Sequence, residues 1–207
     1  MRNSMAIAQE SDLTEEIRKT ILKLARDALI VAAERGHLPP IDHSNLPEIL
    51  RKPGASFVTL KKNNALRGCI GALEAKLPLV EDIRQHAVAA ALYDYRFPAV
   101  QTNEVEDISI EVSILTEPTR LEYEDPENLL QLLRPMVDGV ILTDGERRAT
   151  FLPQVWEKIP SPSLFLSMLC EKASLPSNAW QTQKLHVYIY QVETIHEGQT
   201  PKETLNP

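Results

Sequence analysis

The amino-acid sequence predicts an α+β fold in two lobes, with helices packed on mainly antiparallel sheets. Three observations carry that prediction. Two long segments space their apolar residues at the helical period, and one run alternates apolar and polar residues strictly. The β-rich runs meet at short Asn-Asn and Asp-Gly turns, with no repeated βαβ rhythm.

The first helix is expected over residues 12–35, where Ile17, Ile21, Leu24, Ala28 and Val31 form one stripe. Asp12 is its predicted N-cap, Glu15 stands three residues on, and Gly36 is the predicted C′ stop. Segment 37–54, with four prolines and the run DHSN, reads as a connecting loop. Residues 55–73, ASFVTLKKNNALRGCIGAL, then form a hairpin around Asn63-Asn64, residues that tolerate positive φ. A tight turn there pairs Leu60 with Arg67 and Val58 with Cys69. The second helix is expected over 78–95, with Pro78 in its first turn.

Residues 107–115, DISIEVSIL, put Ile108, Ile110, Val112 and Ile114 on one face and Ser109, Glu111 and Ser113 on the other, which is a half-buried strand. A short helix (125–134) precedes a hairpin turning at Asp144-Gly145. A further helix (161–173) starts with Ser161 as N-cap and Pro162 at its first position, and 184–195 closes the chain as one strand. These elements divide into an N-terminal lobe of about 14–117 and a smaller C-terminal lobe of about 118–195, with a joint near Glu117-Pro118 and flexible tails at 1–11 and 197–207.

Composition narrows the function. A chain of 207 residues, 43% hydrophobic and 25% charged, is ordinary for a soluble globular protein. It has no apolar run of membrane-spanning length, and MRNSMAIAQESD lacks the apolar core of a secretory signal. A net charge of −7 disfavours a nucleic-acid partner, which draws its affinity from a Lys/Arg excess. Cys69 and Cys170 make neither a disulfide framework nor a zinc spacing, and the histidines show no ligand pair, so no cofactor or metal is expected. A reducing cytoplasm is the simplest compartment.

The stretch LRGCIG (66–71) raises the chemical question. Alternation puts Arg67, Cys69 and Gly71 on one face of the strand. Free cysteine is often a small buried hydrophobe, and that is one reading. The other is a thiol made nucleophilic by Arg67, with glycines on either side that admit a ligand. Glu111, the one charge inside an alternating strand, is the candidate carboxylate, expected to pair with Arg67 or Arg96 because an unpaired charge there is costly. His86 with Asp82 one turn earlier offers a base, yet Glu81, Asp82, Arg84, Gln85 and His86 together look like a solvated helix face. Trp156 is expected to anchor the lobe junction.

The ordered set LRGCIG, DYRFPAV, ISIEVSIL, DGVIL and RRATFLPQVWE resembles the AMMECR-type domain family, also called AmmeMemoRadiSam system protein A, over residues 14–195 as one domain. LRGCIG is that family's signature, and Tyr95 stands where many members carry proline. The resemblance implies a cleft between the lobes with the signature near it. It also implies association with a Memo-like protein and a radical SAM protein, and it supplies no established reaction. Two function classes follow. One is a binding or adaptor module for a small polar or anionic ligand, using Arg67, Gly68, Gly71, Arg96 and Phe97. The other is an enzyme using Cys69 with Arg67 and Glu111 on a small molecule or nucleobase. In either class Arg67 and Glu111 are expected to meet in that cleft.

Overall fold

The structure is a computed structural model and describes residues 13–198. The expected cap Asp12 and most of the expected tails lie outside them. The chain forms two compact units: 13–113 with 194–198, and 114–193.

The first unit opens with helix α1 (Glu15–Ala33), whose N-cap is Thr14: its Oγ1 accepts from Ile17 N–H at 3.3 Å. The helix stops one residue earlier than the glycine suggests. Arg35 takes the left-handed conformation at φ 58°, its N–H bonds Ala32 O, and Gly36 N–H bonds Val31 O, the reciprocal pattern of a Schellman stop. A short helix α2 (Glu48–Arg51) interrupts the expected loop before strands β1 (Pro53–Lys62), β2 (Ala65–Gly71) and β3 (Leu77–Pro78). Helix α3 (Leu79–Leu92) follows, and a 3-10 turn over Thr102–Asp107 leads into β4 (Ile108–Leu115).

The sheet runs β2-β1-β4-β9, with β3 beside β1 and β9 spanning Val192–His196. Helix α1 packs on α3, and α3 lies against β1 and β2. Val58, Leu60, Ile83, Ala87, Ala90, Ile110 and Val112 are all buried; β4 alternates as expected over its first half, but Ser113 on its expected polar face is buried too.

The β1–β2 hairpin departs from its predicted register for a definite reason. Asn63 and Asn64 have φ of 51° and 63°, and Lys62 pairs with Ala65 as expected. Lys61 then faces Leu66 but Leu60 faces Gly68, so Arg67 is the extra residue of a β-bulge. Downstream of it Thr59 pairs with Cys69, Val58 with Ile70 and Phe57 with Gly71. The bulge cancels the shared face predicted for Arg67 and Cys69.

The first turns of α3 are not a solvated face. Asp82 and Arg84 are buried: Asp82 Oδ2 accepts Ser56 Oγ–H at 2.6 Å and faces His86 Nδ1 at 3.1 Å. Arg84 donates to Glu81 and to the carbonyl of Pro39. The proline-rich segment supplies that cover, and helical periodicity alone does not reveal it.

The second unit is a sheet ordered β5-β8-β6-β7, formed by Thr119–Leu121 (β5), Gly139–Thr143 (β6), Arg148–Phe151 (β7) and His186–Tyr190 (β8). Helices α4 (Pro126–Leu132), α5 (Pro162–Lys172) and α6 (Ala179–Thr182) accompany it. Trp156 is fully buried in this unit's core, stacked on Phe165 with ring centroids 3.6 Å apart, and its Nε1–H donates to Asp138 O. The expected final strand is two strands, β8 and β9, in different sheets. They part at Gln191, whose backbone exchanges hydrogen bonds with Thr116. Among the described residues no helix is long and apolar enough to cross a membrane.

Candidate functional site

LRGCIG forms the edge strand β2, and each of its distinctive residues has a traceable neighbour. Arg67, turned aside by the bulge, sends a two-pronged ion pair to Glu104, with Nη2 2.6 Å from Oε1 and Nε 3.2 Å from Oε2, and donates from Nη1 to Pro98 O. Glu104 is set by the 3-10 turn, where its carboxylate also accepts Gln101 N–H and the Lys62 ammonium. The Arg67 guanidinium, outweighing burial, holds the Glu104 carboxyl down at about 2.

Gly68 meets the backbone of α3. A Cβ there would lie 2.2 Å from Ala90 O, so the helix rests directly on the strand. Gly71 lies under the Phe57 ring, which a Cβ would meet at 2.3 Å. The two glycines are required by protein neighbours on both counts.

Cys69 is half-buried, with Thr59 Oγ–H donating to its Sγ at 3.2 Å. Its peptide is clamped from outside the sheet. Cys69 N–H donates to Asp94 Oδ2 at 2.8 Å, and Arg96 Nη2 donates to Cys69 O at 3.3 Å. Asp94 in turn accepts from the Arg96 backbone N–H, Nε and Nη2. Asp94 and Arg96 thus satisfy an edge strand's outward N–H and C=O as a neighbouring strand would, which closes that edge to further pairing. The Arg96 guanidinium beside Asp94 holds its carboxyl well below the usual carboxylate range against the opposing effect of burial. Arg96 also lies 5.5 Å from the centroid of the Phe97 ring.

Glu111 belongs to a separate cluster. Its Oε2 lies 2.6 Å from Lys61 Nζ on β1 and 3.1 Å from His196 Nδ1 on β9. The expected meeting of Arg67 with Glu111 therefore does not occur: each has its own partners. Strand β1 stands between the strands that carry Cys69 and Glu111. Among the described residues, no group of three or more His, Cys, Asp or Glu side chains is placed to hold a metal ion. No buried side-chain N or O among them lacks a hydrogen-bond partner.

Sequence reasoning missed Asp94, Glu104, Thr59, Lys61 and His196. Asp94 carried a local signal, an acid two residues before Arg96 at a helix end. Glu104 and His196 reach their partners through tertiary structure alone.

The AMMECR1 family model matches residues 22–195. The chain is similar to a protein of Methanothermobacter thermautotrophicus, 37% identical over 193 residues that cover 89% of this chain and 96% of that protein. It is also similar to Protein MK0488 of Methanopyrus kandleri, 36% identical with 89% and 90% covered. The crystal structure of uncharacterized protein PH0010 from Pyrococcus horikoshii superposes with a TM-score of 0.74 at 32% identity, covering 90% of this chain and 94% of that one. The chain belongs to the AMMECR1 family.

Proposed function

We propose that this AMMECR1-family protein is a binding or adaptor module, acting with a Memo-like protein and a radical SAM protein in the cytoplasm, and that its signature is a scaffold for the recognition segment 93–98. One observation carries the reading. The charges an enzyme mechanism would draw on are already paired within the fold: Arg67 with Glu104, Arg96 with Asp94, and Glu111 with Lys61 and His196.

A thiolate mechanism needs a cation or base beside the sulfur. The hydrogen-bond neighbour of Cys69 Sγ is the Thr59 hydroxyl, the Arg67 guanidinium faces Glu104, and the Arg96 guanidinium, the cation that does act on Cys69, is committed to Asp94. Segment 93–98, by contrast, keeps donor capacity at its surface. Among the described residues Arg96 Nη1 has no hydrogen-bond partner, while Asp94 beneath it is fully engaged. A small anionic ligand or a protein group fits that residual capacity.

The test is co-purification of the chain with a Memo-like protein and a radical SAM protein. Native mass spectrometry of the mixture, with and without candidate metabolites, supplies the readout. A stoichiometric complex or retained ligand that survives Cys69→Ser supports the module. Turnover of any metabolite that Cys69→Ser abolishes would replace it with the enzyme reading.

A further inference from the structure

We infer that Tyr93, Tyr95 and Arg96 form a preorganised docking patch for a protein surface that presents carboxylates; this rests on the module reading and specifies where and with what chemistry the partner is held. Tyr93 is 71% exposed and Tyr95 95% exposed, and the Arg96 side chain is 44% exposed. Tyrosine and arginine are the residues that most often supply the binding energy of protein interfaces.

Large exposed side chains on a mobile loop would lose much of that energy to ordering. Here the loop is pinned. Asp94, with a side chain only 2% exposed, accepts the Cys69 N–H and three donors of Arg96. Phe97 N–H returns to Asp94 O, Arg67 Nη1 holds Pro98 O, and Val100 N–H holds Ala91 O. The segment that displays the tyrosines is therefore tied at both ends and in the middle to α3 and β2, and little backbone freedom is left to lose on binding.

Hydrogen-bond complementarity selects the partner. Both Asp94 oxygens are already engaged, so no carboxylate on the patch is available as an acceptor. Its remaining hydrogen-bonding groups are Arg96 Nη1 and the two phenol hydroxyls, none of which has a partner among the described residues. The patch is donor-rich, and its complement is an acidic, acceptor-rich surface with apolar area for two rings.

The experiment pans a displayed library of random short peptides against the intact chain. Tyr93→Ala/Tyr95→Ala, a substitution at exposed positions that leaves the clamp in place, serves as the matched control. Enriched peptides are expected to carry Asp or Glu beside apolar residues, to bind the double variant at least about tenfold more weakly, and to weaken with added salt. Enrichment without acidic residues, or equal binding to the variant, overturns the inference. A chain that sediments as a dimer and becomes monomeric in the variant overturns it in favour of self-association. The two claims fail separately. If the Memo-like or radical SAM protein binds wild type and double variant alike, the patch is refuted and the module reading stands. If acidic peptides bind as expected while neither protein binds, the patch stands and that choice of partners falls.

Discussion

Gly68→Ala tests the scaffold reading of the signature most severely. The added Cβ would sit 2.2 Å from Ala90 O and 3.1 Å from Ala90 C, both main-chain atoms of α3. No side chain can swing aside to relieve the contact. Reaching ordinary van der Waals separation requires strand and helix to part by about 1.2 Å. Inserting a methyl into a packed core costs about 1–3 kcal/mol, and a clash against backbone belongs at the upper end. A loss of about 3 kcal/mol lowers the melting temperature by about 6–12 °C for a chain of this size. The assay must follow the correct unit. Trp156 and Trp180 both lie in the second unit, so their fluorescence reports the wrong half, whereas far-UV circular dichroism follows α1 and α3. A denaturation midpoint for Gly68→Ala within about 0.5 kcal/mol of wild type would refute the packing argument.

Further outcomes follow from other contacts. Asp94→Ala leaves the Cys69 N–H and the Arg96 fork without their acceptor, and equilibrium denaturation should show a loss of about 1–2 kcal/mol with faster amide exchange at Cys69. Glu104 titrates at about 2 in the fold against 4.5 for a free carboxyl, so it stabilises the fold fully above 4.5 and loses that contribution as pH falls toward 2. Acid denaturation of Glu104→Gln should accordingly be flatter across that window, and a parallel curve would contradict the pairing. Trp156→Phe removes the indole N–H from the buried Asp138 carbonyl and should cost about 1–3 kcal/mol in a fluorescence melt read from Trp180. Cys69, half-buried, should react with a maleimide ahead of Cys170, which is fully buried and whose thiol is pushed up by burial. Equal rates for the two would show that both are reached only through unfolding.

Legibility of the fold in the sequence followed the range of the forces involved. Helix α1, strand β4 and the Asn63-Asn64 turn come from local patterns and form where expected, although the buried face of α1 centres on Ile21, Ala25, Ala28, Leu29 and Ala32, and Ser113 on the expected polar face of β4 is buried. The bulge at Arg67 was not legible, because a single unpaired residue leaves no mark on the apolar pattern until a helix backbone lies on Gly68. That one residue reversed the face assigned to Arg67 and with it the expected meeting with Glu111. The burial of Asp82 and Arg84 was hidden likewise, since polar residues on a helix read as solvated unless a distant segment covers them. The split of the last strand at Gln191 depends on its pairing with Thr116, far away in sequence. Short-range periodicity identifies elements; the choice of partner for a charge is a tertiary fact.

The central claim, that the signature arginine serves the fold, is tested most directly by a double-mutant cycle on Arg67 and Glu104. Their side chains are 13% and 15% exposed and joined at 2.6 Å, close enough and shielded enough to couple strongly. Denaturant unfolding of Arg67→Ala, Glu104→Ala and the double variant should give a coupling energy of about 1–3 kcal/mol, with the double variant far less destabilised than the two single losses added together. Additive losses, with a coupling near zero, would mean that Arg67 is not committed to Glu104, and the reading of LRGCIG as scaffold would fail.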